Sequence, residues 1–162
     1  MSSFRYLSIP KEYIEKIRRE MLDDFGHKVE ASIAGEKGYG PCRCCLKQFN
    51  PGEKRLLFSY APVKSSNAYN EVGPVFIHDD CLPYAATDEF PDDVKHGRLH
   101  IPLVLRCYNN ERRMVGAVQV KNNNEVELFV QELLERQEIK FIHIRNAEAQ
   151  CFIAEVQRNS LS

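Results

Sequence analysis

The spacing of apolar residues along the chain alternates between a period of two, typical of strands, and a period near 3.6, typical of helices. The pattern is clearest within residues 101–158, where it predicts two strands, one helix and two more strands. Asn124 and Glu127 fit the N-cap pair that begins such a helix. The four strands are predicted at 102–108, 113–120, 139–145 and 151–156.

The amino-terminal half predicts a second group of elements. Residues 4–9 have the composition of a short strand, and Pro10 suits the first turn of the helix that follows. Apolar residues at helical spacing give this charged helix one apolar stripe, and we expect it to end near Phe25 and Gly26. Two further strands are predicted at 54–60 and 74–78.

These elements predict an α+β fold, because a mostly antiparallel β-sheet with two helices on one face is the simplest way to bury both helical stripes. We expect residues 1–162 to form a single domain. Within it, a Cys/His-rich segment at 38–85 precedes the strand–strand–helix–strand–strand segment at 101–158. The acidic residues 86–100 between them are predicted to be a surface loop.

Charge and hydropathy narrow the classes of partner and location. The formal net charge is −1, from 22 basic and 23 acidic side chains, so we do not expect nucleic acid or an anionic membrane as a partner. The amino terminus lacks the basic start and long apolar stretch of a signal peptide. We therefore expect a cytoplasmic protein whose six cysteines are reduced thiols or metal ligands.

Two pairs of residues have metal-ligand spacing. Cys42 and Cys45 are separated by two residues, and so are His78 and Cys81. Three sulfurs and one nitrogen are a common ligand set for a tetrahedral zinc ion, so the sequence predicts a zinc site made of these four residues. Cys44 lies between the first two, and it either replaces one of them as a ligand or points into the core.

Two other interpretations of the same residues remain open. The cysteines and the histidine can be ordinary core residues, because a free cysteine behaves as a small hydrophobe. Alternatively, Cys45 served by His78, with Asp79 as a base, would carry out thiol or metal-assisted chemistry. The function we predict from the sequence is therefore a small binding or interaction module with a structural zinc site, and the alternative is an enzyme that uses Cys45 and His78.

A second polar cluster is predicted around two turns of the carboxy-terminal strands. His143 and Arg145 are two residues apart on one strand, so their side chains project from the same face. If the cluster converges, its guanidinium groups would bind a small anionic ligand; the alternative is a set of surface ion pairs. The candidate anion-binding residues are Arg106, Tyr108, Arg113, His143, Arg145 and Asn146.

Several motifs are familiar as a set. They are Gly38–Leu46, Gly52 with Glu53, Leu56–Tyr60, Glu71–His78 with Cys81, and Phe141–Ala147 with Cys151 and Phe152. In this order they resemble the uncharacterised bacterial family catalogued as domain of unknown function 1203. The resemblance covers nearly the whole chain, and it implies no activity. It implies that Cys45, His78 and Cys81 are firmer site residues than Cys42. It also points to Arg106, Tyr108, His143 and Arg145, and the partner we expect is a small anionic ligand or a protein.

Overall fold

The computed structural model describes residues 4–38, 40–97 and 100–159. Within these residues, eight strands form two antiparallel sheets, so the fold is α+β as predicted. The strands are β1 (Phe4–Leu7), β2 (Glu30–Ile33), β3 (Lys54–Val63), β4 (Glu71–His78), β5 (Leu103–Tyr108), β6 (Met114–Val120), β7 (Phe141–Asn146) and β8 (Phe152–Arg158). The helices are α1 (Lys11–Glu20), α2 (Asp92–Lys95) and α3 (Val126–Leu134). None of them is long and apolar enough to cross a membrane.

The larger sheet has five strands in the order β1-β8-β7-β5-β6. On one of its faces, α3 buries Val130 and Leu134 against Leu105 and Ile144. Alternating side chains along each strand point to this face, and each fully buried aliphatic side chain stabilises the fold by about 1.5–3 kcal/mol. This core sets the position of the central strands β5 and β7.

The smaller sheet has three strands in the order β2-β3-β4, and α1 packs against it. Ile14 and Ile17 of the helix are buried in a cluster with Phe58 of β3 and Ile77 of β4. The two main helices therefore lie in separate cores rather than on one face of one sheet. The apolar stripe of a helix shows which side is buried, but it does not show which strands cover it.

The second face of the larger sheet meets the smaller sheet. Phe152 of β8 belongs to the same buried cluster as the smaller sheet, and its ring centroid lies 5.7 Å from that of Tyr60 on β3. Tyr108 and Phe141 stack on this face with their centroids 5.0 Å apart. The residues that sequence analysis placed in a polar cluster thus lie between two sheets.

Helix α1 ends at Glu20, several residues earlier than predicted. Met21 takes a left-handed conformation with φ 52°, which closes the helix. The carboxylate of Asp23 then accepts hydrogen bonds from the backbone N–H groups of Phe25, at 2.8 Å, and His27, at 3.0 Å. Aspartate often bonds nearby backbone donors in this way, and here its carboxylate holds the turn that follows the end of the helix.

The acidic segment at 86–100 is not simply a surface loop, as was predicted. It contains α2, and Phe90 and Val94 are buried in the core of the larger sheet. The carboxylate of Asp93 accepts a hydrogen bond of 2.9 Å from the backbone N–H of Gln48, which connects α2 to the cysteine-containing loop. The acidic residues of the segment indicated exposure to solvent, but its two apolar residues, Phe90 and Val94, are buried.

The start of α3 also differs from the prediction. A turn of 3-10 helix at Asn123–Glu125 precedes it, and the capping side chain is that of Asn122, which accepts from the backbone N–H of Asn124 at 3.1 Å. Glu127 forms an ion pair with Lys95 of α2, at 2.5 Å, instead of a capping box. Strand β2 was not predicted, because all four of its residues are exposed and lack an alternating pattern.

Candidate metal centre

The first pair of candidate ligands lies on a tight loop. The backbone N–H of Cys42 donates to the carbonyl of Lys47 at 2.8 Å, and that of Leu46 donates to the carbonyl of Cys42 at 2.9 Å. Leu46 has φ 59°, a left-handed conformation that costs a non-glycine residue about 1–2 kcal/mol. Its side chain is buried in the core of the larger sheet, and this packing holds the loop in shape.

The second pair lies at the end of β4, where His78 is the last residue of the strand and Cys81 follows in the next loop. The cysteine loop is fastened beside this strand end by Arg43, whose backbone N–H donates to the carbonyl of Phe76 at 2.9 Å. The guanidinium of Arg43 is buried and donates to the carbonyl of Phe152 at 2.7 Å. Burial lowers the pKa of Arg43 to about 10.

The four candidate ligand atoms, from Cys42, Cys45, His78 and Cys81, all lie within 4.8 Å of one another. The Sγ atoms of Cys42 and Cys81 are 3.9 Å apart, and Sγ of Cys45 is 3.4 Å from Nδ1 of His78. Around a tetrahedral zinc ion with bonds of about 2.3 Å to sulfur and 2.0–2.1 Å to nitrogen, these separations would be about 3.8 and 3.6 Å. These two observed distances are therefore close to those around a zinc ion, and the four atoms lie near enough to one another to hold a metal.

Cys44 does not belong to this group of four. Its side chain is fully buried in the core of the smaller sheet. Its backbone N–H points at the Sγ of Cys42, at 3.4 Å, and the backbone N–H of His78 points at the same sulfur, at 3.1 Å. Two backbone N–H groups thus point at one sulfur, the arrangement that would give charge-assisted hydrogen bonds to a metal-bound cysteine.

The ring of His78 is held by Glu53, a residue that sequence analysis did not assign to the site. The Oε2 atom of Glu53 lies 2.6 Å from Nε2 of His78, while Nδ1 faces Cys45. If Nδ1 is the metal-binding atom, Nε2 carries the proton and its N–H donates a hydrogen bond to the carboxylate, an arrangement common among metal-binding histidines. The sulfur of Cys42, followed by Glu53, raises the pKa of His78 to about 9.

A local turn explains how Glu53 reaches the site. Gly52 has φ 87° and follows Pro51, and the backbone N–H of Glu53 donates to the carbonyl of Asn50 at 3.1 Å, as in a type II turn. Glu53 directly precedes β3, which pairs with β4 so that Arg55 lies opposite His78. The Asn-Pro-Gly-Glu sequence was the signal for this turn, but the pairing of the two strands was needed to connect it to the histidine.

Arg18 of α1 is the second site residue that sequence analysis missed. Its guanidinium donates to the Sγ of Cys81 at 3.2 Å and to the carbonyl of His78 at 2.9 Å. Hydrogen bonds from the neighbouring thiols, with Cys42 first, and then from Arg18 lower the pKa of Cys81 well below its usual range. No local pattern marks Arg18, because it is one of several charged residues on the helix.

The three residues of the alternative catalytic interpretation do not all come together: Cys45 and His78 do, but Asp79 does not. Cys45 and His78 are in contact, but the nearby thiols, first Cys42 and then Cys81, raise the pKa of Cys45. A thiol with a raised pKa is a poor nucleophile near neutral pH. Asp79 is exposed, and it does not belong to the group of ligand atoms found within the described residues.

Of the candidate anion-binding residues, Arg106 and Arg145 converge. Both donate to the carboxylate of Glu71 on β4, Arg106 through one nitrogen and Arg145 through two, each at 3.0 Å. Arg145 is almost fully buried, with 3% of its side chain exposed, and Arg106 is 22% exposed. The two arginines therefore meet at a carboxylate that the chain itself supplies.

The other four candidates lie around this pair but have other contacts. Tyr108 is buried, and its ring packs against that of His143 with their centroids 5.0 Å apart. His143 is fully buried and pairs with Glu155 at 2.9 Å; burial lowers its pKa in spite of that carboxylate. The guanidinium of Arg113 lies 5.8 Å from the ring centroid of Tyr69. The side chain of Asn146 accepts hydrogen bonds from the backbone N–H groups of residues 148 and 149.

Comparison with known families gives a match over most of the chain. A family model described as "Protein of unknown function (DUF1203)" matches residues 39–158, a span that contains the four candidate ligands and both converging arginines. No curated protein and no solved structure matches the chain.

Proposed function

Because the chain belongs to the DUF1203 family, whose description states no function, we propose from the site itself that the protein is a small binding module built around one structural zinc ion. The observation that carries the proposal is the group of four ligand atoms within 4.8 Å of one another. The proposed ligands are Cys42, Cys45, His78 and Cys81.

The ligand types select zinc. Thiolates and imidazole bind zinc in preference to magnesium or calcium, which take oxygen ligands. Three sulfurs and one nitrogen complete a tetrahedron, so no coordination position is left for water or substrate. The ion would then act by joining the loop at 42–45 to the end of β4, and its contribution would be to stability rather than to a reaction.

The surrounding hydrogen bonds support this proposal. Metal-binding histidines usually donate their second ring N–H to a carboxylate, and Glu53 occupies that position beside His78. Three thiolates around a dication carry a net negative charge, and the guanidinium of Arg18 beside Cys81 partly offsets it. Since the ligands must be reduced thiols, we place the protein in a reducing compartment, the cytoplasm.

The contact between Cys45 and His78 supports a second candidate, an enzyme with a thiol nucleophile activated by imidazole. Two features weigh against this candidate. The pKa of Cys45 is raised rather than lowered, and Nε2 of His78 is taken by Glu53. We therefore rank it below the zinc proposal.

Elemental analysis of protein purified without a histidine tag or chelator tests the proposal. We expect about one zinc ion per chain in the wild type, as four protein ligands define a single site. Cys81→Ser should lose the metal, while Cys151→Ser should keep it, because Cys151 is also half-buried but is not in the group of four. Cobalt(II) in the wild-type site should show the sulfur-to-metal absorption of a tetrahedral thiolate complex.

The alternative has a different signature in the same samples. A metal-free wild type whose thermal stability is unchanged by chelator would refute the zinc proposal. If Cys45 of that protein were also alkylated fast and selectively at neutral pH, the thiol enzyme would become the better interpretation. Slow alkylation of the zinc-loaded protein, made faster by chelator, is the result expected for ligated thiols.

A further inference from the structure

A cleft lies between the two sheets, on the side of the molecule where β4 faces β5 and β7. Its volume is about 240 Å³. The lining is mixed, with apolar walls from Tyr60, Pro74 and Phe152 and the charged groups of Arg106 and Arg145. A concave surface with apolar walls and a few convergent polar groups is typical of a site for a small molecule.

The charged part of the cleft is built around one carboxylate. Both oxygens of Glu71 face Arg145, whose two terminal nitrogens lie 3.0 Å away, and Arg106 binds Oε2 from the side at 3.0 Å. This is the forked geometry in which guanidinium groups recognise a planar carboxylate. Two positive charges meet one negative charge, so this part of the cleft keeps an excess of one positive charge.

Arg145 and Glu71 differ in how much of each side chain is buried. Arg145 is almost fully buried and also donates to the carbonyl of Gln150 at 3.0 Å, so its position is fixed by the fold. Its Nε atom is buried with no hydrogen-bond partner within the described residues. The side chain of Glu71 is 38% exposed, at the first residue of β4, so solvent reaches it far more than it reaches Arg145. Arg145 is thus more deeply enclosed by the fold than the carboxylate that it binds.

We propose that Arg106 and Arg145 form a binding site for the carboxylate of a small organic acid, and that Glu71 occupies this site as an internal competitor. In the bound state the ligand's carboxylate takes the place of the Glu71 carboxylate between the two guanidinium groups. The apolar body of the ligand lies along Tyr60 and Phe152. The proposal deepens the binding function proposed above by naming a class of ligand, and it does not require the zinc ion.

Benzoate is a suitable probe, because it combines a carboxylate with a ring that matches the apolar walls, and benzamide is its neutral counterpart. Calorimetric titration at low salt should show weak binding of benzoate to the wild type. Glu71→Gln should bind benzoate about ten-fold more tightly, because the variant loses both the competitor and its charge. Benzamide should bind neither protein measurably.

Matched arginine variants test the assignment of the receptor. In the Glu71→Gln background, a second change Arg106→Gln should abolish the gain in affinity. Arg113→Gln in the same background should retain it, since Arg113 lies beside Tyr69 and does not line the cleft. Equal affinity for benzamide and benzoate, or no gain with Glu71→Gln, would overturn the proposal.

The test remains decisive if Glu71→Gln does not fold. In that case the wild type is titrated by NMR, and benzoate but not benzamide should shift the backbone amide signals of Gln150 and Cys151, which line the cleft. Unshifted signals at saturating benzoate would refute the proposal. Zinc content is measured on each sample, so a metal-free protein that still prefers benzoate would refute the zinc proposal alone.

Discussion

The contact between Glu53 and His78 allows a quantitative test of the zinc proposal. In Glu53→Gln the side chain keeps its shape and one oxygen that can accept a hydrogen bond from the Nε2–H of His78, but the negative charge is lost. The hydrogen bond of 2.6 Å between carboxylate and ring then becomes a neutral one. A less polarised imidazole is a weaker ligand, so the affinity for zinc should fall.

The expected size of the effect follows from the nature of the change. Loss of an outer partner of a metal-binding histidine typically lowers metal affinity by about 10–100-fold. Because glutamine keeps the hydrogen bond, we expect the lower limit, about ten-fold, which corresponds to about 1.4 kcal/mol of binding free energy. Glu53→Ala removes the bond altogether and should approach the upper limit, about 100-fold.

The assay is competition for zinc between the protein and a chromophoric chelator at neutral pH. Glu30→Gln is the matched control, because this substitution removes the same charge at an exposed position on β2 of the same sheet. Unfolding of each variant in excess chelator separates the effect on metal affinity from the loss of the hydrogen bonds between Glu53 and Asn50. If Glu53→Gln and Glu53→Ala bind zinc as tightly as Glu30→Gln does, Glu53 does not support His78 as a metal ligand.

Two further predictions concern residues near the site. Cys44→Ala should keep one zinc ion per chain and lose only roughly 1 kcal/mol of stability, because Cys44 is buried outside the group of four ligands; loss of the metal would contradict that assignment. Asp23→Asn should lower the free energy of unfolding by about 1–3 kcal/mol, because the buried carboxylate of Asp23 accepts hydrogen bonds from three backbone N–H groups. Asp24→Asn is the control. It breaks only surface pairs with lysines and should lower the free energy of unfolding by less than about 1 kcal/mol. Burial alone would raise the pKa of Asp23, but these N–H groups, first that of Ser59, lower it below its ordinary value of 3.8. The stability that Asp23 contributes is therefore present above pH 3.8 and lost as the pH falls through the lowered pKa, so chemical unfolding of Asp23→Asn should show a shallower loss in acid.

Much of the secondary structure could be predicted because it depends on local pattern. The alternating segments before and after α3 form β5 to β8 with bounds close to those predicted. The errors fall where a side chain acts on the backbone, as at Asp23, or where burial is invisible in composition, as at Phe90 and Val94. The exposed strand β2 had no periodic signal at all.

For the candidate site too, one part could be predicted from the sequence and another part could not. The spacing of the two ligand pairs, Cys42 with Cys45 and His78 with Cys81, is a property of the sequence, since a two-residue gap lets both side chains of a pair reach one point. The distances between the pairs, and the exclusion of Cys44 from the group of four, depend on the loop that Leu46 and Arg43 hold against β4.

The sequence by itself therefore determined the α+β class, the positions of most strands along the chain and the identities of the candidate ligands, because each of these depends on residues that are close in the chain. Only the tertiary structure placed Glu53 and Arg18 beside the ligands, since strand pairing and helix packing bring them there from distant segments. It alone also placed Glu71 between Arg106 and Arg145, a contact between two sheets that no local pattern encodes.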